Sequence, residues 1–389
     1  MLEQAKTIKD QLVQWRRTIH QHPELGFDVY QTAAFVAQTL TKLGVEAQTG
    51  VGKTGVVGYL GEGQGPVIAI RADMDALPIQ EANQVAYASQ VEGKMHACGH
   101  DAHTAMVLGV AALLRQAKLP GQVRLLFQPS EENFDEEGIS GAPRMIADGA
   151  LKGADAVIAL HVDGTLETGK IAIEAGPVGA AVDTFKAWVT GRGGHGAFPH
   201  QVVDPIWLSS HVLSALYAIP SRQVAPLQPS VVSVGVIRGG SAENVIPDEV
   251  YLEGTLRSYD DEVRETLIAQ VEKALQISRV YGGDYRLHID RGYPVNQNDP
   301  QVTNWLQQVG KDLLGEGQVE EEQKSMGAED FGYMTRAAKG AMFRLGVIPA
   351  GAEPRYLHTC TFDLDEEALP VGAAVLAETA LRFLRGELT

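Results

Sequence analysis

What this chain lacks narrows the field before any motif is read. It has only two cysteines, Cys98 and Cys360, too few for a secreted disulfide framework and consistent with a reducing compartment. No run reaches the roughly 18 consecutive apolar residues of a membrane-spanning helix. The opening stretch MLEQAKTIKDQLVQW carries charges where a signal peptide needs an unbroken apolar core, so a cytoplasmic location is expected. Basic runs are missing as well. A formal charge of −17 repels nucleic acid and anionic membrane, and neither is expected as a partner.

What is present is an ordinary globular composition, 44% hydrophobic, on a chain of 389 residues. That length exceeds the size at which one core stops growing, so two domains are expected. Ile8, Leu12, Trp15 and Ile19 recur at helical spacing until His22-Pro23-Glu24-Leu25-Gly26 breaks the pattern, and a second helix is expected over about 32–43. Short apolar runs then alternate with loops and helical patterns: 67–70, 123–127, 156–160 and, much later, 342–347. Runs of this kind imply strands buried on both faces of a mostly parallel sheet.

Between Pro177 and about residue 290 the rhythm changes to β-α-β-β-α-β, the ferredoxin-like order. Alternating strands are expected at 185–189, 231–237, 250–257 and 285–289. Helices are expected after Asp204-Pro205 and over about 260–280. The expected organisation is therefore an α/β catalytic domain from 1–176 and 290–389, with an inserted α+β domain at 177–289. Asp299-Pro300 opens a further helix through Trp305, Leu306, Val309 and Leu313, and a last one starts near Asp365.

Metal-binding side chains follow the apolar runs, and in open α/β sheets ligands gather at the carboxyl ends of strands. The segment His96-Ala97-Cys98-Gly99-His100-Asp101-Ala102-His103 holds one thiol, three imidazoles and a carboxylate. Thiolate and imidazole suit zinc and other late first-row ions, and Gly99 would let Cys98 and His100 turn toward one ion. His96 and His103 are either supporting partners or helix-start residues. Glu131 and Glu132 follow the 123–127 run, where one carboxylate can ligate and the other accept a proton from water. His161 follows 156–160, and His358 lies in Tyr356-Leu357-His358-Thr359-Cys360. Alone, either histidine reads as structural; beside the first two clusters, each reads as a ligand. Asp73, in Arg71-Ala72-Asp73-Met74-Asp75, either orients a ligating histidine or pairs with Arg71. His20 and His22 belong to a helix end and turn. Gly61-Glu62-Gly63-Gln64-Gly65 precedes a strand instead of following one, so it is a turn and not a nucleotide-binding loop.

RADMDALP, KMHACGHDAHTAM, FQPSEE, ALHVDG, GRGGHGAFPH, SAENVIPD, GTLRSYD, MGAEDF and the late His358 together resemble one family. It is the family of metallo-amidohydrolases that includes hippurate hydrolase, N-acyl-amino-acid amidohydrolases and plant auxin-conjugate hydrolases. The matches run in order over nearly the whole chain. The resemblance implies a zinc-peptidase-like catalytic domain with an inserted lid and dimerisation domain. It also implies two divalent ions (zinc, manganese, cobalt or nickel) held by Cys98, His100, Glu132, His161 and His358, with Glu131 as general base. The broader superfamily has a His-x-Asp pair where this chain has Arg71-Ala72-Asp73, and arginine cannot ligate metal.

The resemblance further places His195, Asn244 and Arg257 against the substrate. His195 lies in a glycine-rich loop that would let backbone approach a ligand or would simply be a flexible hairpin. Arg257 is either a solvated arginine or a carboxylate clamp. The implied activity is cleavage of the amide bond of an N-acyl amino acid in a homodimer joined through the inserted domain. A dipeptidase or aminopeptidase is the alternative within the enzyme class, and a non-catalytic metal-binding scaffold the alternative outside it.

Overall fold

The computed structural model describes residues 1–389 apart from Gly63, Gln323 and Thr389, so the turn expected at 61–65 lies partly outside the described residues. By contacts the chain divides into two units, Met1–Gly176 with Gln297–Gln323 and Tyr333–Thr389, and Pro177–Asn296 with Lys324–Gly332. The expected mostly parallel sheet is present in the first. Its strands run Glu46–Val51, Gly55–Leu60, Gln122–Gln128, Val67–Asp73, Ala156–Glu167, Lys339–Ile348, Ile171–Ala172 and Val319–Glu320 from edge to edge. The middle four are parallel, and an antiparallel hairpin forms the first edge. Every residue of Val67–Asp73 is buried, so both faces are covered; the apolar run 67–70 fits this, and Arg71 and Asp73 are buried as an ion pair at 2.6 Å.

Helices Lys9–His20, His100–Leu114 and Leu369–Leu384 share this core through Leu12, Met106 and Val375. Their approach depends on small residues. A Cβ on Gly372 would stand 2.2 Å from Met106 Sδ, and one on Gly109 would stand 2.6 Å from a Leu12 methyl. Either substitution would force the helices apart in an interior packed like an organic crystal.

The second unit has an antiparallel sheet in the order Ser230–Gly239, Glu249–Ser258, Ala181–Thr190 and Asp284–Arg291. Numbered along the chain this is 2-3-1-4, the ferredoxin-like arrangement, with helices Pro205–Arg222 and Asp261–Leu275. Strict burial alternation along Ala181–Thr190 puts Phe185, Ala187 and Val189 into a core with Leu208, Val212, Leu267 and Val271. Both helices start where sequence puts a cap: Asp204 accepts from Ile206 N at 2.8 Å, and Asp260 from Glu262 N at 2.8 Å. Among the described residues no helix is long and apolar enough to cross a membrane.

Candidate metal centre

The donor cluster is assembled by loops that follow two strands, a residue inside a third strand and one helix start. Strand Val67–Asp73 leads into a long irregular segment that ends at Gly99, whose φ of +87° only glycine adopts readily. A Cβ there would also meet Val162 Cγ2 at 2.4 Å. Gly99 caps helix His100–Leu114, so Cys98 precedes the helix and His100 opens it. Strand Gln122–Gln128 delivers Glu131 and Glu132 after Ser130, which sits at φ +48°. His161 lies within strand Ala156–Glu167, which continues past the expected end at 160. Strand Lys339–Ile348 precedes the loop carrying His358, itself at φ +60°. Left-handed backbone at Ser130 and His358 is costly for residues with a Cβ, and such strain gathers at functional sites.

These side chains converge. Cys98 Sγ is 3.4 Å from His161 Nε2 and 3.4 Å from His358 Nε2, and His358 Nε2 is 3.1 Å from Glu132 Oε1. Donor atoms of Cys98, His100 and His161, of Cys98, Glu132 and His358, and of His100, Glu131 and Glu132 lie within 4.8 Å of one another in each group. The two buried histidines are turned by backbone: His100 Nδ1 donates to Asp75 O at 2.8 Å and His161 Nδ1 to Val162 O at 2.8 Å. Each donation leaves the Nε2 lone pair facing the cluster. His100 Nε2 is buried with no hydrogen-bond partner, which fits an ion better than an empty interior.

Electrostatics agree. The Cys98 thiol and the Glu132 carboxylate raise His358 to about 10. Burial opposes ionisation of Glu132, but His358 and His100 outweigh it and hold the carboxyl low. His358 and Glu132 thus stabilise each other's charged forms. Burial pushes the Cys98 thiol up and the His161 imidazole well down, so in the absence of an ion both are neutral. A thiophilic cation would displace the thiol proton.

The Nδ1 atoms of His100 and His161 go to carbonyls, while Asp73 Oδ2 stands 3.7 Å from His100 Nε2. Its Oδ1 is 2.6 Å from His103 Nδ1, and Arg71 donates to Oδ2 at 2.6 Å. His103 Nε2 in turn accepts from Val162 N at 3.0 Å, beside His161. His96 is buried with both ring nitrogens unpartnered, and burial lowers its pKa to about 3. His20, read as a helix-end residue, is part of a buried charge network, 2.7 Å from Asp101 through Nδ1. Sequence reasoning gave Asp75 no role. Its only signal was a second acid two residues after Asp73 beyond a buried strand.

The substrate candidates lie in the second unit. His195 is paired with Val245 across a two-residue ladder, and Gly196 N donates to Asn244 O at 2.7 Å, so His195 and Asn244 are neighbours. Arg257 is half-buried on the face of Glu249–Ser258 opposite Val250, Leu252 and Leu256.

Soft and hard donors gathered at the carboxyl ends of parallel strands define a metal-dependent hydrolase. The model of Peptidase family M20/M25/M40 matches residues 69–382. The chain belongs to this family. It is 40% identical over 97% of both chains to thermostable carboxypeptidase 2 of Saccharolobus solfataricus. It is also 40% identical to N-acetyl-L-cysteine deacetylase of Bacillus subtilis, over 97% of this chain and 89% of that one. Among solved structures, the YXEP protein of Bacillus subtilis, a dinuclear metal binding peptidase from M20 family, superposes with a TM-score of 0.84 at 35% identity, covering 98% of this chain and 99% of that one.

Proposed function

We propose that this protein hydrolyses the amide bond of N-acyl amino acids. Two divalent ions (zinc, manganese, cobalt or nickel) would be held by Cys98, His100, Glu132, His161 and His358. The observation that carries this reading is the sharing of donors: Cys98 belongs to one group with His100 and His161 and to another with Glu132 and His358. Two overlapping donor groups would suit two ions better than one. Bound, they would supply Lewis acidity and lower the pKa of water from about 15.7 toward about 7.

Glu131 accepts the proton of the attacking water and returns it to the leaving amine, work that typically contributes about 10²- to 10⁴-fold. His195 donates to the developing oxyanion, and Asn244 and Arg257 hold the substrate. Half-burial costs the Arg257 guanidinium hydration and lowers its pKa, a cost that a substrate carboxylate would offset. Asp73 steadies His103 and with it the strand that carries His161.

The protein works as a homodimer joined through the second unit. Exposed Trp207, Tyr217 and Ile237 on that unit, and its open edge strand Ser230–Gly239, support this. Unpaired Cys98 and Cys360 support a cytoplasmic location. Relatives named carboxypeptidase favour a second reading, peptide cleavage next to a free carboxylate. Metal content by elemental analysis, with a screen of N-acetyl and N-benzoyl amino acids against dipeptides, decides between them. The amidohydrolase reading expects up to two ions per chain, N-acyl substrates turned over faster than dipeptides, and activity lost to chelators. Absence of metal after reconstitution, or exclusive dipeptide cleavage, overturns it.

A further inference from the structure

One fully buried carboxylate beside the metal centre has no part in the chemistry above. Asp75 lies just beyond strand Val67–Asp73 and is inaccessible to solvent. Its Oδ1 accepts from the Glu131 amide at 3.0 Å and its Oδ2 from the Glu132 amide at 3.0 Å. Its backbone carbonyl accepts from His100 Nδ1 at 2.8 Å. A single residue thus holds three members of the cluster drawn from two other parts of the chain. The left-handed Ser130 makes the first of these contacts possible, because it turns two successive amides toward one carboxylate. Both bonds end on a solvent-inaccessible carboxylate, so neither peptide can turn without leaving a buried oxygen unpaired.

We propose that Asp75 is the positioning residue of this site, holding the Glu131-Glu132 pair in register with His100. The carboxylate fixes the points from which the two glutamate side chains project. The carbonyl fixes the ring orientation that turns His100 Nε2 toward the same space. Asp73 cannot substitute, because its oxygens are taken by Arg71 and His103. This rests on the reading of Glu131, Glu132 and His100 as base and ligands.

Asp75→Asn acts on the carboxylate, whose Oδ1 also lies 3.4 Å from His100 Nδ1, and leaves the backbone carbonyl in place. It keeps the size and the backbone carbonyl but sets an NH2 donor against one of the two amide donors. Zinc affinity is expected to fall about 10- to 100-fold, as for other residues that orient ligands. kcat should fall by a similar factor with KM little changed, and the visible spectrum of the cobalt-loaded protein should shift. Wild-type zinc affinity and cobalt spectrum in the variant, even with a lowered Tm, would show that Asp75 supports only the fold and would overturn the proposal. If the variant does not fold, hydrogen exchange of wild-type, metal-free protein decides. The Glu131 and Glu132 amides are expected to be strongly protected although they lie in a loop, and exchange at exposed-loop rates overturns the proposal. A wild-type protein that binds no metal and cleaves no N-acyl amino acid overturns the functional reading and this proposal with it. Wild-type competence with an unaltered variant removes Asp75 alone.

Discussion

The adjacent glutamates show how two residues of one chemical type can take different work. Glu132 is 3.1 Å from His358 and shares a donor group with Cys98, whereas among the described residues of the first unit Glu131 is grouped with His100 and Glu132. Glu131→Gln removes a base but no ligand, so it is expected to keep its metal while kcat falls about 10²- to 10⁴-fold. Glu132→Gln is expected to lose metal affinity first. Metal analysis of both purified variants beside their kcat checks this, and equal metal occupancy with equal loss of activity would reverse the roles. The candidate donors Cys98, His100, Glu132, His161 and His358 and the candidate base Glu131 were legible in the sequence because reactive residue types gather densely at 96–103 or follow apolar runs. Asp75 was not, since its role depends on two amide directions that follow from φ at Ser130.

Among elements, helix His100–Leu114 matters most and was hardest to read. Thirteen of its fifteen residues are buried, so it has no polar stripe and no helical periodicity in its sequence. By contrast, Lys9–His20 and Pro300–Leu314 each present one apolar face and were read correctly. The first turn of the buried helix is tied to Lys9–His20 by charge. Arg16, inaccessible to solvent, donates to Asp101 at 2.7 Å and also reaches Asp363 at 3.2 Å and Glu366 at 3.4 Å. Asp101 gains further from the helix N-terminus beside it. Arg16→Met leaves these carboxylates without their buried cation and is expected to cost about 3–5 kcal/mol of stability. A urea denaturation series on the metal-free protein measures it. A loss below about 1 kcal/mol would mean that His20, also on Asp101, compensates by itself.

For the whole molecule, the homodimer reading makes a quantitative prediction. That reading carries the expectation that His195 acts in the active site of the opposite subunit. Co-expressing His195→Ala chains with Glu131→Gln chains should then restore function, since each hybrid has one site with both residues intact. Random pairing makes half of the dimers hybrid with half of their sites complete, so recovery should approach about a quarter of wild-type activity. Monomers in sedimentation, or verified hybrids without recovery, would return His195 to its own chain.

The order of elements and the ferredoxin-like insertion followed from sequence alone, because burial on both faces, alternation and caps are local patterns with local causes, and the same sequence marked the candidate donors. Only the tertiary structure decided which carbonyls turn His100 and His161, that Asp73 serves His103, and that Asp75 gathers Glu131 and Glu132. Except for the bond from His161 to its neighbour Val162, those are contacts between residues tens of positions apart, set by strand register and by three backbone turns at positive φ. No property of the individual residues encodes such meetings.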